Sequence, residues 1–260
     1  MDDQAIEKAA DLLWRMRLGG LRLDAIPEEY RPNSLDDGYR IQDIMTAHAG
    51  KSVVGWKVAA TTEAGRRRMG IVEPLAGRLF DGYVLADKAR LDASPMTMRV
   101  AEPEFGFRIE RDLPPRAKPY AIEDVLAAVA DCYLSIEVPD ARVARFADVG
   151  APSTVADDAF AGWVILGPTV ANWRDLDLPS RPVRAIRNGT LAGENRGNDA
   201  LGDPCHALAW LAQDRAMRGD GLKAGDIVIT GTRIAPVAIV PGDRITFEFP
   251  DLGDVGVAFD

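Results

Sequence analysis

The sequence predicts an α+β fold. Three observations carry that expectation. Strand-like apolar runs crowd the chain beyond residue 51, only a few segments of helical period lie between them, and the first 50 residues show helical period alone. The expected organisation is a helical region over 1–50 followed by one mixed domain over 51–260, with no internal repeat.

In order along the chain, Asp3 to Arg17 places Ile6, Ala9, Ala10, Leu13 and Trp14 on one helical stripe, with Gly19-Gly20 as its stop. Asn33 and Ser34 are N-cap residues for a second helix over Leu35 to His48, closed by Gly50. "SVVGWKVAAT" reads as a strand, and "TTEAGRRRMG" as a short helix capped by Thr61 or Thr62 and stopped by Gly70. "EPLAGRLFDGYVL" leads through a loop into a strand, and "VAEPEFGFRIER" is a strand. "AIEDVLAAVADCYL" reads as a helix, with the strand "LSIEVPDAR" after it. "AGWVILGPTV" is an apolar strand. "VRAIRNGTLAG" is a hairpin, since Asn188-Gly189 suits a type I′ turn. "DPCHALAWLAQDRAMRG" is an amphipathic helix. "GDIVITGT", "DRITFEF" and "VGVAF" complete the strands.

The composition excludes several function classes. A net charge of -9 over 260 residues opposes nucleic-acid binding and adsorption to an anionic membrane. No apolar run is long enough to span a bilayer, and the acidic, amphipathic start lacks the features of a signal peptide, so a cytoplasmic location is expected. Cys132 and Cys205 have no CxxC partner, which argues against a disulfide framework or zinc site. His48 and His206 are the only histidines, so mechanisms that need a histidine base or several histidine ligands have little to draw on.

"VAEPEFGF" (100–107) is the chemically unusual stretch. Glu102 and Glu104, at i and i+2, share one face of a strand. Two carboxylates side by side repel, and burying them unpaired is costly; a magnesium or manganese ion with oxygen ligands resolves both problems. A solvated acidic face is the plainer alternative. Pro103 cannot donate to a ladder, which points to an edge or a bulge. Glu137 is a third acid among apolar neighbours, either a further metal ligand or half of a salt bridge to Arg142 or another arginine. Lys57 interrupts an apolar strand; it is either a surface lysine or an ammonium able to orient an anion or relay a proton. The arginines of "AGRRRMG" read as a solvated helix end. "NGTLAGENRGNDALG" matches no phosphate-binding loop.

Assembled, these residues resemble the 2-keto-4-pentenoate hydratase / 4-oxalocrotonate decarboxylase family, within the fumarylacetoacetase-like fold. The resemblance runs through "RPNSLDDGYRIQD", "GWKVAATTEAGRRRMGIVEPLAGRLFD", "AEPEFGFRIERDLP", "SIEVPDAR", "LGDPCHALAWLAQ", "LKAGDIVITGT" and "VPGDRITFEF". It implies a mixed β-sandwich or roll with a helical N-terminal appendage, 51–260 being the catalytic domain. It implies Glu102, Glu104 and Glu137 as ligands of Mg2+ or Mn2+, Lys57 as a catalytic and carboxylate-binding residue, and Asp81 as an acid–base. Arg78 is a candidate for a second substrate carboxylate.

The implied activity is that of a divalent-metal-dependent lyase in aromatic-compound catabolism. It would hydrate a 2-hydroxypenta-2,4-dienoate-like, unsaturated 2-oxo acid through a metal-stabilised enolate. Decarboxylation of a 4-oxalocrotonate-type acid is the alternative. Further alternatives are C–C hydrolysis, disfavoured because the only early histidine, His48, lies in the helical appendage, and a non-catalytic metal-binding or scaffolding subunit working with a partner enzyme of the same pathway. A homo-oligomer is expected.

The chain also departs from the family pattern. Ala59-Ala60-Thr61-Thr62 stands for G-x-T-S, Asp140-Ala141-Arg142 for D-S-R and Ala156-Asp157-Asp158-Ala159 for A-D-N-A. Leu201-Gly202-Asp203-Pro204 stands for L-G-H-P, and Ile234 for a position often Thr. The metal set is intact while substrate-side polar groups differ, which implies retained metal chemistry with a changed substrate or a decayed activity.

Overall fold

The computed structural model describes residues 1–195 and 202–260. The glycine-rich stretch and the L-G-D-P motif therefore fall partly outside the described residues. Helices α1 (Asp3–Gly19), α2 (Leu35–His48), α3 (Glu63–Met69), α4 (Ile122–Leu126), α5 (Gly150–Ala156) and α6 (Pro204–Arg218) alternate with strands. The strands are β1 (Val53–Ala59), β2 (Leu75–Phe80), β3 (Val84–Ala86), β4 (Ala89–Leu91), β5 (Val100–Ile109), β6 (Val129–Val138), β7 (Trp163–Thr169), β8 (Val183–Arg187), β9 (Thr190–Asn195), β10 (Ile227–Ile229), β11 (Val237–Ala238), β12 (Arg244–Phe249) and β13 (Gly253–Phe259).

The caps follow local chemistry. Ser34 accepts from the Asp37 N–H at the start of α2, Thr62 from the Gly65 N–H at α3, and Asp203 from the Cys205 N–H at α6. Gly20, Gly70 and Gly219 close α1, α3 and α6 in the left-handed conformation. Asn188 and Gly189 both have positive φ, as a type I′ turn requires, and join β8 to β9.

One expected helix is shorter than its sequence pattern. Residues 121–134 read as helical, yet α4 ends at Leu126 and β6 begins at Val129. Cys132 and Leu134 instead pair with Phe107 and Phe105 of β5, and both are fully buried. Sheet pairing overrides helical propensity there.

The strands form two sheets. The larger has the order β2-β1-β10-β5-β6-β7-β3, with β11 also pairing β5; the smaller has the order β4-β13-β12-β8-β9. β5 sits centrally in the larger sheet and has two distinct faces. Phe105 and Phe107 point into the core between the sheets, where the Phe105 ring meets Phe249 at a tilt with centroids 5.4 Å apart and the Phe107 ring meets Trp173 edge-on at 5.3 Å. Glu102 and Glu104 point to the other face. Pro103 is neither at an outer edge nor in a bulge. Its carbonyl accepts from the Arg233 N–H at 2.7 Å, so its nitrogen faces the same flank, a gap between β10 and β11 where no strand pairs with it.

Helices α1 and α2 pack through Ile6, Leu13, Trp14, Ile41 and Met45 against Phe80, Ala141, Val143 and Ala156. The N-terminal region thus shares a core with the sheet that carries the acids. No helix among the described residues is long and apolar enough to cross a membrane.

Candidate metal and substrate site

Strand register brings the three glutamates together. Glu102 lies directly across from Glu137 in the antiparallel β5–β6 pair, and Glu104 across from Ser135. Each glutamate offers an oxygen within 4.8 Å of the others'. Glu104 and Glu137 are 1% and 2% exposed, whereas Glu102 keeps part of its surface open to a cavity of about 520 Å³. Lys57 reaches this group from β1, two strands from β5. Its Nζ lies 2.9 Å from Glu137 Oε1 and donates to the Ala159 carbonyl at 3.0 Å. The Lys57–Glu137 contact is an ion pair without a well-directed hydrogen bond, which leaves Glu137 Oε1 a buried acceptor short of a donor.

The loop between β10 and β11 closes over the other end. The Gly231 N–H donates to Glu104 Oε2 at 2.6 Å and fixes that carboxylate. Gly231 has φ of 99°, and a Cβ there would lie 2.3 Å from Thr61 Oγ1, so the loop can approach only with glycine.

The electrostatics follow from burial. Desolvation, then Glu137, raises Glu102 to about 7 despite Lys57. Desolvation and the two neighbouring acids raise Glu104 well above the carboxylate range. Desolvation also raises Glu137, against the pull of Lys57. Burial alone would lower the Lys57 ammonium, but Glu137, Glu102 and Glu104 outweigh it and hold it charged. Three carboxylates, two of them buried and one half-buried, thus face one ammonium. The excess negative charge, the all-oxygen donor set and the under-satisfied Glu137 oxygen fit a divalent cation.

Val58, Met69, Met98, Phe146 and Phe160 give the cavity an apolar wall, while Thr61, Thr62, Thr154 and Thr232 add hydroxyls. Arg68 also lines it, although "RRR" reads from sequence as a solvated helix end; Arg66 pins the preceding turn by donating to Thr61 O at 2.8 Å. Asp140 accepts from the Thr97 and Met98 N–H groups, so it holds a wall of the cavity. Arg142 pairs with buried Asp157, not with Glu137.

Two expected site residues are not brought to the cavity. Asp81 follows β2 at the end remote from Lys57: Phe80 pairs with Val53, whereas Gly77 pairs with Lys57. Four strand residues separate those levels, about 13 Å. Asp81 is exposed, and its carbonyl accepts from Lys51 Nζ. Arg78 is buried, but its guanidinium turns away to Gln42 at 2.8 Å, Asp43 at 2.6 Å and Asp220 at 3.2 Å, stacked on Trp56. Its charge is consumed in joining α2 and the turn that follows α6 to the sheet. Neither histidine lines the cavity: His48 meets Asp11 at 2.7 Å between α2 and α1, and the His206 side chain is 74% exposed.

Comparisons with known proteins identify the family. The chain is 30% identical over 263 aligned residues to a 2-keto-4-pentenoate hydratase of Paraburkholderia xenovorans, covering 100% of this chain and 97% of that one. It is 32% identical to a 4-oxalocrotonate decarboxylase of Pseudomonas putida, covering 90% and 89%. A solved 4-oxalocrotonate decarboxylase from Pseudomonas putida G7, complexed with magnesium and adipate, superposes with a TM-score of 0.91 at 27% identity, covering 100% of this chain and 99% of that one. Residues 85–258, which carry all three glutamates, match the family described as fumarylacetoacetate (FAA) hydrolase C-terminal. With that match and full-length relatives at this identity, the chain belongs to the fumarylacetoacetate hydrolase family, in its hydratase and decarboxylase branch.

Proposed function

We propose that the protein is a divalent-metal-dependent lyase that hydrates a 2-hydroxypenta-2,4-dienoate-like acid. The observation that carries this reading is the cluster of Glu102, Glu104 and Glu137 with Lys57 in one cavity. The three glutamates would hold the ion, and Gly231 fixes the angle of Glu104. A bound Mg2+ or Mn2+ supplies Lewis-acid stabilisation of the negative charge that develops on the 2-oxygen of the substrate. Lys57 is charged, shielded from water and open to the cavity, so it can hold the substrate carboxylate or carry a proton as the diene is protonated and water adds at its far end. Asp81 is too remote for the acid–base role, which leaves Lys57 as the proton carrier among these candidates.

The apolar wall favours hydration over decarboxylation. Besides Lys57, Arg68 is the only cationic side chain among the described lining residues. A substrate with one carboxylate and an unsaturated tail suits that lining better than a dicarboxylate. The decarboxylase reading keeps its support in the similarity to 4-oxalocrotonate decarboxylases. Assembly of copies of this chain belongs to the same reading, with exposed Leu18 and Leu21 as apolar surface available for it; light scattering tests it.

The test has two parts. Oxalate, a planar dianion resembling the enolate, is titrated calorimetrically in magnesium and in chelator; heat is expected only with metal. The protein is then given 2-hydroxypenta-2,4-dienoate or 4-oxalocrotonate and the products are resolved by mass. Gain of one water from the dienoate supports the proposal, release of CO₂ alone turns it to the decarboxylase, and metal-dependent oxalate binding without turnover turns it to a binding subunit.

A further inference from the structure

The backbone turn behind Lys57 is held from outside the cavity by the N-terminal helix. Asp158, Ala159 and Phe160 have φ of 57°, 49° and 60°, three consecutive left-handed residues without a glycine. Such a run persists only where its surroundings over-determine it. Asp158, with no exposed surface, accepts from the Arg78 N–H through Oδ1 at 2.7 Å and from Arg17 Nη1 through Oδ2 at 2.9 Å. Arg17 Nη2 and Arg142 Nη1 both donate to the Ala161 carbonyl at 3.0 Å, and Arg142 also holds Asp157, so Arg17 closes the Asp158 side of a turn that Arg142 braces at Asp157. The Arg17 side chain, 4% exposed, lies over the Tyr83 ring at 4.6 Å. Gly77 makes room on β2, since a Cβ there would sit 2.3 Å from the Asp158 carbonyl oxygen. These contacts fix the Ala159 carbonyl, which accepts from Lys57 Nζ at 3.0 Å.

We infer that Arg17 is a positioning residue of the site: paired with Asp158, it locks the 157–161 turn and, through the Ala159 carbonyl, sets the Lys57 ammonium beside Glu137. This rests on the reading of Lys57 as the working cation of the cavity. Losing Arg17 removes the guanidinium that pairs directly with the buried Asp158 carboxylate, and the cost of leaving that group without its hydrogen-bonded partner moves the turn. Asp158→Asn keeps an acceptor for the Arg78 N–H and removes the charge, so it relieves the loss of Arg17.

The test compares full-length wild type, Arg17→Met and Arg17→Met/Asp158→Asn in magnesium. Turnover of the dienoate is measured alongside the Lys57 side-chain resonance in lysine-labelled protein, assigned by its absence in Lys57→Met. Arg17→Met is expected to lower kcat/KM by roughly 100-fold, the scale of a misplacement of about 1 Å, and to displace the Lys57 resonance; the double variant is expected to recover most of both. A folded Arg17→Met with unchanged turnover and an unmoved resonance overturns the inference, as does a folded double variant that recovers neither. If Arg17→Met does not fold, Arg17→Lys replaces it; partial loss with a shifted resonance supports the inference, and no change in either overturns it. If wild type turns over no dienoate, the functional reading fails, while the resonance shift and its rescue still decide the role of Arg17.

Discussion

Glu102 on β5 and Glu137 on β6 are direct cross-strand partners, two acids face to face in the middle of a sheet. Like charges in that position destabilise a ladder. Glu104 adds a third carboxylate, and Lys57 supplies a single compensating charge. The arrangement costs stability in the metal-free protein and becomes favourable when a cation sits among the three oxygens.

The first expectation concerns ligand number. Glu104→Gln keeps the shape of the side chain and an acceptor for the Gly231 N–H but removes one of three negative charges. Because affinity for hard cations follows ligand charge, Mg2+ binding should weaken by about 100-fold or more. Isothermal titration reads this directly, with circular dichroism confirming the fold. Wild-type affinity in the folded variant would remove Glu104 from the metal set.

The second follows from linkage. Burial raises Glu102 to about 7, and Glu104 and Glu137 are also raised. The folded metal-free protein therefore binds more protons than the unfolded chain between the ordinary glutamate value and about 7. Its stability should fall as pH rises through that window. Saturating magnesium keeps the same carboxylates ionised without penalty. The difference in Tm between magnesium and chelator should therefore widen from pH 5.5 to pH 8. A difference independent of pH would separate metal binding from these groups.

The third separates Lys57 from the metal. Lys57→Met removes the ammonium while leaving all three carboxylates, so magnesium should bind at least as tightly as in wild type. Turnover should fall by about 100-fold or more, the usual scale for removing a positioned proton carrier. Steady-state kinetics beside calorimetry distinguishes these outcomes. Unchanged turnover would leave Lys57 with a structural role only.

How much of this was legible in the sequence depends on the range of the interaction involved. Glu102 and Glu104 announce themselves because i and i+2 in a strand fix a shared face, and Glu137 and Lys57 because each interrupts an apolar run. Caps at Ser34 and Thr62 and the turn at Asn188-Gly189 are local and were readable for the same reason, whereas the Asp203 cap of α6 was not singled out. Residues 127–134 misled because helical propensity said nothing about the partner strand waiting in β5. Arg78 and Arg17 illustrate the harder limit. Which acid each arginine meets is set by packing between distant segments: Asp43 and Asp220 for Arg78, Asp158 for Arg17. Arg68 was passed over because a run of three arginines does not reveal which one turns into the cavity.

The fourth expectation tests the placement of Asp81 and Arg78 outside the cavity. Asp81→Asn changes an exposed residue whose backbone makes the local contacts, so turnover and Tm should both stay near wild type. Arg78→Met removes a buried cation shared by Gln42, Asp43 and Asp220; the two acids stay in reach of water, but the buried Gln42 oxygen loses its donor, so the change should cost about 1–3 kcal/mol of stability. Some loss of turnover can follow, because the Arg78 backbone N–H holds Asp158, but KM for a second substrate carboxylate should not respond selectively. Urea unfolding and kinetics with mono- and dicarboxylate substrates read both. A large loss of turnover in a stable Asp81→Asn would restore Asp81 to catalysis and require the β2–β3 turn to move to the cavity in the working enzyme.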